Sequence, residues 1–255
     1  MSMSTNIVKD ILRDGKVAVG TTCGLRDPVA QLADSGFDFI LFDTQHQPID
    51  IKQLQPQIQA MKGKRAVPIV RVGANDAALI CYALDIGAKG IVIPLVNSRQ
   101  EAINAVSYCK YPPDGIRSGV MSAAEFWGGP FKGFREYAET ANKGILVMPQ
   151  IETLEAVNHL DQILSVPGID VALLGPLDLS VTMGMPEDYG NPKYQEALDK
   201  IVTGCRKAGV APGSWFIPGE PDPNKFIAKG FRLFTLGWTR YLVPAIKNGL
   251  ASIKR

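Results

Sequence analysis

The chain has 255 residues, 46% of them hydrophobic and 20% charged, and its formal net charge at pH 7 is +2. It contains no block of five like charges, so it lacks the concentrated basic surface that a nucleic-acid partner requires. A single (β/α)8 barrel commonly reaches this length. The composition is compatible with a protein that acts on a small, acidic metabolite.

The N-terminal segment MSMSTNIVKDILRDGK mixes charged and polar residues and lacks the apolar centre of a signal peptide. No apolar run reaches the roughly eighteen residues of a membrane-spanning helix. We therefore expect a soluble, cytoplasmic protein that makes no membrane contact. The four cysteines lie far apart without a CxxC motif, which favours buried, reduced thiols over a zinc site or a disulfide framework.

Eight short runs of β-branched and apolar residues recur along the chain, four in each half. Their nearly continuous hydrophobicity is typical of parallel strands that are covered on both faces. The predicted strands span residues 17–23, 37–43, 67–72, 90–96, 145–152, 171–178, 210–216 and 232–238.

Segments with helical periodicity separate these strands, and several of them open on an Asp, Asn or Ser that can cap a helix. They include residues 27–36, 75–88, 98–110 and 153–166. The alternation predicts one (β/α)8 TIM barrel domain over residues 1–255, with a preceding helix at Thr5–Arg13 and a final helix near Leu242–Ile253. An open, doubly wound sheet is the alternative, but no GxGxxG motif follows the first strand.

One irregular region, residues 111–134, is rich in Gly, Pro and aromatic residues. Connections of this length without regular structure are usually functional or disordered. Its aromatic side chains argue against disorder. We therefore predict that the region lies at the mouth of the active site or in a subunit contact.

Polar residues follow the apolar runs at several predicted strand ends. In a (β/α)8 barrel these ends converge on one face, which carries the chemistry. We call this face, formed by the C-terminal ends of the eight strands, the rim. The polar residues predicted to lie there are Asp43, His46, Arg71, Gln150, Glu152 and Asp178.

Glu152 and Asp178 form a carboxylate pair suited to a hard divalent ion such as Mg²⁺ or Mn²⁺, which prefers oxygen ligands. Structural alternatives exist, because Glu152 could cap the following helix and Asp178 could open a turn. His46 lies three residues after Asp43, so the acid could orient the imidazole ring and leave it free to accept a proton.

Arg71 suits a developing enolate or carboxylate oxygen, but it could equally be an ordinary salt-bridge partner of Asp43. The second histidine, His159, lies within a predicted helix and is interpreted as a surface or packing residue. No lysine lies within a predicted strand, and this disfavours a Schiff-base mechanism, which needs a lysine at the barrel mouth.

Five motifs in the same order resemble the metal-dependent pyruvate aldolases of the HpcH/HpaI aldolase and citrate lyase family. They are GFDFILFDTQH, PIVRVGAND, YPPDGIRS, PQIET and GPLDLSVTMG, and the likeness runs from about Gly15 to Gly249. The resemblance implies an aldolase that makes or cleaves a 4-hydroxy-2-oxo acid from an aldehyde and the enolate of pyruvate or hydroxypyruvate.

The same resemblance implies a role for each matching residue. Glu152 and Asp178 would ligate Mg²⁺ or Mn²⁺, with Co²⁺ as a substitute. Arg71 would steady the enolate oxygen, and His46, oriented by Asp43, would be the base. The 2-oxo acid would contact Gln150, and its carboxylate would meet the backbone around Pro176 and Leu177. The family also implies a homohexamer in which the C-terminal helix packs on a neighbour.

The chain departs from the family pattern at several places, including Leu177, where Ala is common, and Ser118, where Gly is common. Gln45 stands where relatives usually carry Glu, which puts the supporting role of that carboxylate in doubt. Trp215 and Phe216 end strand 7 where smaller aliphatic residues are usual, so we predict a narrowed mouth that favours small or apolar aldehydes, with packing in the barrel as the alternative. Other functions consistent with the sequence are a CoA-thioester lyase of the malyl or citramalyl type and a non-catalytic assembly protein on the same scaffold.

Overall fold

The computed structural model of the chain describes residues 6–218 and 222–253. Eight parallel strands form a closed barrel in sequence order, and the last strand pairs with the first. This confirms the predicted (β/α)8 barrel. The strands are β1 Ala18–Thr22, β2 Phe39–Asp43, β3 Val67–Arg71, β4 Gly90–Ile93, β5 Leu146–Ile151, β6 Val171–Leu174, β7 Ala211–Ser214 and β8 Leu233–Thr235.

Helices connect consecutive strands, and one helix precedes the first strand. The α-helices are α1 Ile7–Arg13, α2 Val29–Leu32, α3 Ile51–Gln59, α4 Ala77–Asp85, α5 Arg99–Cys109, α6 Phe134–Gly144, α7 Leu154–Asn158, α8 Leu160–Leu164, α9 Pro176–Thr182, α10 Pro192–Ala208, α11 Pro223–Lys229 and α12 Thr239–Ala251.

Local sequence accounts for where several helices begin. Asn6, Asp76 and Ser98 each accept a hydrogen bond from a backbone N–H of the first helical turn. The predicted N-terminal helix is confirmed from Ile7, whereas Thr5 lies outside the described residues. None of the helices in the described part of the chain is both long and apolar enough to span a lipid bilayer.

Alternation along each strand divides the buried residues into two cores. One core fills the barrel with side chains such as Phe39, Leu41, Val67 and Ile69, while the other packs the outward-facing side chains against the surrounding helices. Because successive strand residues point to opposite sides, Asp43 and Arg71 continue the inward-facing rows of β2 and β3. The barrel interior therefore carries charged groups at its rim.

Helix α1 closes the opposite end of the barrel, at the N-terminal ends of the strands. Val8 is fully buried in the inner core. The Asn6 amide donates to the carbonyl oxygens of Gly144 and Lys89 at 2.9 and 3.1 Å, just ahead of β5 and β4. Helix α1 thus covers the end of the barrel that lies opposite the rim.

Two details of the predicted elements need correction. Strand β6 ends at Leu174, so Asp178 lies in the first turn of α9 and not at the end of a strand. Pro176 explains the change, because it occupies the first helical turn, where its missing N–H costs nothing. The segment 153–166 forms two short helices that meet at His159, whose Nδ1 lies 2.9 Å from the carbonyl oxygen of Asn97.

Of the two predictions for residues 111–134, the active-site mouth is wrong, and the subunit contact stays a prediction. Helix α5 carries the chain back from the rim, so the region lies at the N-terminal end of the barrel. There Arg117 pairs with Asp85, at the end of α4, with a separation of 2.7 Å, and Ser122 donates to the Asp85 carbonyl at 2.8 Å. Phe126 and Trp127 are buried in a short 3-10 helix.

Asn142, on α6, fixes the start of this region. Its Oδ1 accepts the backbone N–H of Tyr111 at 2.8 Å, and its Nδ2 donates to the Tyr111 carbonyl and to Asp114 at 2.9 and 3.0 Å. The Asn142 carbonyl accepts the Lys110 ammonium as well. One buried amide thus joins α6 to the entire N-terminal part of the connection.

We predict that Asn142→Ala lowers the free energy of unfolding by about 3 kcal/mol, because it leaves the buried backbone N–H and carbonyl of Tyr111 unpaired. Hydrogen exchange followed by mass spectrometry should show faster exchange in residues 111–134 and unchanged protection at the rim. Asn104→Ala, which removes only a surface bond to Gln100, is the control. Loss of protection at the rim would contradict the placement of this region.

Candidate active site

Five predicted site residues meet at the rim because of strand alternation. Asp43 and Arg71 are the last residues of neighbouring strands and face each other in register. Gln150 and Glu152 continue the inward row of Leu146 and Met148 on β5. Trp215 directly follows β7 and packs against the inner core.

Asp43 and Arg71 form a buried, two-pronged ion pair. Arg71 Nε lies 2.8 Å from Asp43 Oδ1, and Nη2 lies 2.6 Å from Oδ2. Burial opposes ionisation of Asp43, but the bonds and charge of Arg71 outweigh it and hold the pKa of the carboxyl below its usual value. The salt-bridge alternative considered for Arg71 is therefore the arrangement present in the structure.

His46 is placed differently from the expectation that Asp43 orients its ring. Asp43 Oδ1 accepts the backbone N–H groups of Gln45 and His46 at 3.0 and 3.5 Å, while Arg71 takes both carboxylate oxygens. The His46 side chain is exposed beyond the end of β2. Asp43 pairs with the guanidinium of Arg71 and not with the imidazole of His46. The two N–H groups of the guanidinium match both carboxylate oxygens, and its positive charge compensates the buried negative charge.

Trp215 covers one face of the Arg71 guanidinium. The guanidinium carbon lies 3.8 Å from the centre of the Trp215 ring, within the range of a cation–π contact. The Trp215 carbonyl accepts the hydroxyl of Thr235 on β8. Arg71 is therefore held on its edge by Asp43 and on its face by Trp215, across the width of the barrel.

Glu152 is the most deeply buried carboxylate of the rim, with 1% of its surface exposed. Its Oε1 accepts the Leu95 N–H at 2.8 Å, and its Oε2 accepts the side-chain amide of Gln150. Burial, reinforced by the negative charge of Asp178, raises the pKa of Glu152 to about 7. A cation placed beside a buried carboxylate whose pKa is raised stabilises its charged form.

Asp178, Leu177 and Pro176 belong to α9, which begins directly above Glu152. Asp178 is partly buried in the first turn and lies near enough to Glu152 to affect its pKa. Pro176 is buried, and its carbonyl accepts the hydroxyl of Tyr194 at 3.4 Å, whereas Leu177 is 45% exposed. The carboxylate pair is thus supplied by one strand end and one helix start.

The donor set fits a hard divalent cation. The described residues contain no cluster of three or more His, Cys, Asp or Glu side chains, so protein carboxylates could supply only part of a coordination shell. Gln150 Oε1 is buried and has no hydrogen-bond partner among the described residues. Two carboxylates beside an unpaired oxygen suit an ion such as Mg²⁺, which keeps positions for water and substrate.

Sequence reasoning missed Leu95 and Gly175, which both contact the buried carboxylate. The Leu95 N–H binds Glu152, and a Cβ added at Gly175 would lie 2.6 Å from the Glu152 Cβ. The glycine directly before Pro176 is a weak signal that the backbone at Gly175 lies close to another group. Leu95 contacts Glu152 through its backbone N–H, so the identity of its side chain gives no signal in the sequence.

Comparisons with known proteins identify the relatives of the chain. A profile of the family described as HpcH/HpaI aldolase/citrate lyase matches residues 26–244. The chain is 37% identical over 252 residues to a 4-hydroxy-2-oxo-heptane-1,7-dioate aldolase of Salmonella paratyphi C, covering 97% of this chain and 94% of the relative. It is 35% identical over 256 residues to a pyruvate aldolase of Rhizobium etli, covering 99% and 98%.

A solved structure of similar fold is an HpcH/HpaI aldolase from Desulfitobacterium hafniense. It superposes with a TM-score of 0.84 at 29% sequence identity, covering 97% of this chain and 96% of that one. The barrel and its additional helices are therefore shared over nearly the whole length of both chains.

We predict that Asp43→Asn destabilises the chain by about 3–5 kcal/mol at pH 7, because it leaves Arg71 buried without its counter-charge. The folded-state pKa of Asp43 is lowered, so the ion pair stabilises the fold above the unfolded pKa of about 3.9 and loses this effect as pH falls below it. Urea unfolding at several pH values measures the difference, which should shrink towards pH 3.

The control for this prediction is Asp34→Asn, because Asp34 pairs with Lys64 at the surface and at the other end of the barrel. Solvent screens such exposed pairs, so this variant should change stability little. A difference between wild type and Asp43→Asn that stays constant from pH 7 to pH 3 would contradict the role assigned to the ion pair.

Proposed function

The chain belongs to the HpcH/HpaI aldolase/citrate lyase family, and from this premise we propose that it is a carbon–carbon lyase that cleaves or forms a 4-hydroxy-2-oxo acid. The products of cleavage are pyruvate, or hydroxypyruvate, and an aldehyde. The observation that carries the proposal is the buried Glu152 carboxylate beside Asp178 and Arg71 at the rim. This group of charges is what an enolate-forming enzyme requires.

We propose that Glu152 and Asp178 hold Mg²⁺ or Mn²⁺, with Co²⁺ as a substitute. Such an ion, when bound, acts as a Lewis acid that polarises the keto group of the substrate. The unpaired Gln150 Oε1 supports the proposal that the same residue contacts the 2-oxo acid. The N–H groups that open α9, next to Pro176 and Leu177, are proposed to receive the substrate carboxylate, because the first turn of a helix leaves its N–H groups unbonded.

Arg71 is proposed to stabilise the oxygen that gains negative charge. Asp43 engages Nε and Nη2 of the guanidinium, and Nη1 takes no part in that ion pair. A donor already fixed in place stabilises developing charge without reorganisation. This explains how a residue tied into a structural ion pair can still act in the reaction.

His46 is proposed as the base, and its exposed side chain at the end of β2 supports a group that exchanges protons with solvent. In cleavage, the base takes the proton of the C4 hydroxyl, the C3–C4 bond breaks and the aldehyde leaves. The enolate then takes a proton at C3 to give the 2-oxo acid. In synthesis the same steps run in reverse, and the base removes the C3 proton.

We also propose a homohexameric, cytoplasmic protein. Helix α12 has no buried residue, and it exposes the apolar side chains of Tyr241, Leu242, Val243, Ile246 and Leu250. An amphipathic helix with an uncovered apolar face supports packing on a neighbouring subunit. The four cysteines are free thiols, which supports a reducing compartment. Light scattering of the purified chain measures the assembly.

The proposed function predicts that the chain, stripped of metal and then given Mn²⁺, releases pyruvate from 4-hydroxy-2-oxo-heptane-1,7-dioate. Glu152→Gln should lower kcat at least about a hundredfold and abolish the stabilisation by Mn²⁺, because it removes a charged ligand. Mass spectrometry identifies the products. Glu155→Gln, an exposed neighbour, is the matched control and should behave as wild type.

The same assay separates the other functions. Cleavage of malyl-CoA or citramalyl-CoA without release of pyruvate from the hydroxy-oxo acid would identify a thioester lyase. Absence of every cleavage, together with absence of Mn²⁺ binding, would identify a non-catalytic assembly protein. Either result would overturn the proposed aldolase.

Substrate choice is proposed to depend on Trp215 and Phe216. Trp215 packs on the face of the Arg71 guanidinium. Phe216 is 36% exposed and makes a T-shaped contact with Tyr189, with 6.5 Å between the ring centroids. These aromatic side chains support an apolar wall beside the proposed aldehyde position.

We predict that Trp215→Leu raises kcat/KM for larger aldehydes about tenfold relative to small ones, because a smaller side chain widens the wall. Loss of the stacking partner should also weaken the hold on Arg71 and lower kcat for every aldehyde. A panel of aldehydes of increasing length measures both effects. An unchanged ratio between large and small aldehydes would assign Trp215 to packing alone.

A further inference from the structure

Leu95 adopts a backbone conformation that leucine normally avoids. It follows β4 with a φ of 53°, in the left-handed region where a Cβ crowds the backbone. Such conformations persist where the surrounding structure holds them, and they concentrate at functional sites. The position of Leu95 at the rim, directly above the buried carboxylate, therefore calls for a physical reason.

Packing of the Leu95 side chain does not supply that reason. The side chain is 53% exposed, while the next residue, Val96, is fully buried. The Leu95 N–H instead lies 2.8 Å from Glu152 Oε1, and the left-handed φ sets the angle between this peptide group and the chain that continues into buried Val96. A buried carboxylate gains most from a fixed donor, because desolvation leaves its oxygens without water.

The Leu95 N–H is one of three constraints on Glu152. The side-chain amide of Gln150 binds Oε2 from within β5. The backbone at Gly175 closes the third side, since a Cβ there would lie 2.7 Å from Oε2. The carboxylate is thus fixed by a loop after β4, a side chain of β5 and the start of α9.

We propose that Leu95 is a positioning residue whose strained backbone holds Glu152 in the orientation that binds the divalent cation. The inference rests on the proposed function, because it takes Glu152 as a ligand of that cation. It adds a role for a residue that is not itself proposed to bind the substrate or the cation. The role belongs to the backbone, so the identity of the side chain matters through the conformations that it permits.

Variants at Leu95 test this by changing the stability of the left-handed conformation while keeping the N–H. Leu95→Gly accepts a positive φ freely, so its Mn²⁺ affinity should stay within about twofold of wild type. Leu95→Ile is β-branched and disfavours this conformation, so its Mn²⁺ affinity should fall about tenfold. Calorimetry measures the affinities, and the visible absorption of bound Co²⁺ reports the geometry at the metal.

Glu187 provides the matched control. It also has a positive φ, of 59°, but it is exposed in the loop after α9 and its N–H binds Ser180. Glu187→Gly and Glu187→Ile should shift thermal stability as the Leu95 pair does and leave Mn²⁺ affinity and the Co²⁺ spectrum unchanged. A purely structural cost of strain would therefore affect both positions equally.

The outcomes separate this inference from the proposed function. Three results together support both the metal site and the positioning role. The wild-type chain binds Mn²⁺ and Glu152→Gln does not, Leu95→Ile binds Mn²⁺ weakly, and Leu95→Gly binds it normally. If wild type and Leu95→Ile bind Mn²⁺ equally well, only the positioning role is overturned. The same holds if Glu187→Ile loses as much Mn²⁺ affinity as Leu95→Ile. A wild-type chain that binds no Mn²⁺ overturns the proposed metal site, and the role of Leu95 falls with it.

Discussion

Closure of eight parallel strands into a barrel fixes which residues can meet. Each strand alternates its side chains, so every second residue points inward, and the inward rows end at the same rim. The apolar interior formed by Phe39, Leu41 and Ile69 ends where Asp43 and Arg71 begin. A shift of one residue in any of these strands would place a charge in the outer core and an apolar side chain at the rim.

Burial removes water from both carboxylates of the rim, and the groups beside each carboxylate then set its pKa. Asp43 and Glu152 are both buried, but the pKa of Asp43 is lowered and that of Glu152 is raised to about 7. The difference is Arg71, which forms two bonds with Asp43 and contributes only its more distant field to Glu152. Asp43 is therefore paired with a cationic side chain, whereas Glu152 is held by the neutral N–H donors of Leu95 and Gln150.

Sequence predicted what depends on local periodicity. The eight strands and the inward position of Asp43, Arg71, Gln150 and Glu152 follow from apolar runs and strand ends. The sequence predicts a strand through Asp178 because the apolar run continues past Leu174, whereas Pro176 starts a helix there. The sequence left open whether Arg71 pairs with Asp43. The conformation of Leu95 depends on contacts between distant segments, which no local pattern encodes.

The location of the long connection limits how the site can select its substrate. Residues 111–134 lie at the closed end of the barrel, where Asn142 and Asp85 fix them, so this segment cannot act as a lid over the rim. Under the proposed function, selection would instead depend on side chains of the rim itself. Trp215 on the face of Arg71 and Asp43 on its edge restrict the guanidinium before substrate arrives. Under the proposed function, a wall held in this way would discriminate by size and shape, because an aldehyde that displaced Trp215 would break its contact with Arg71.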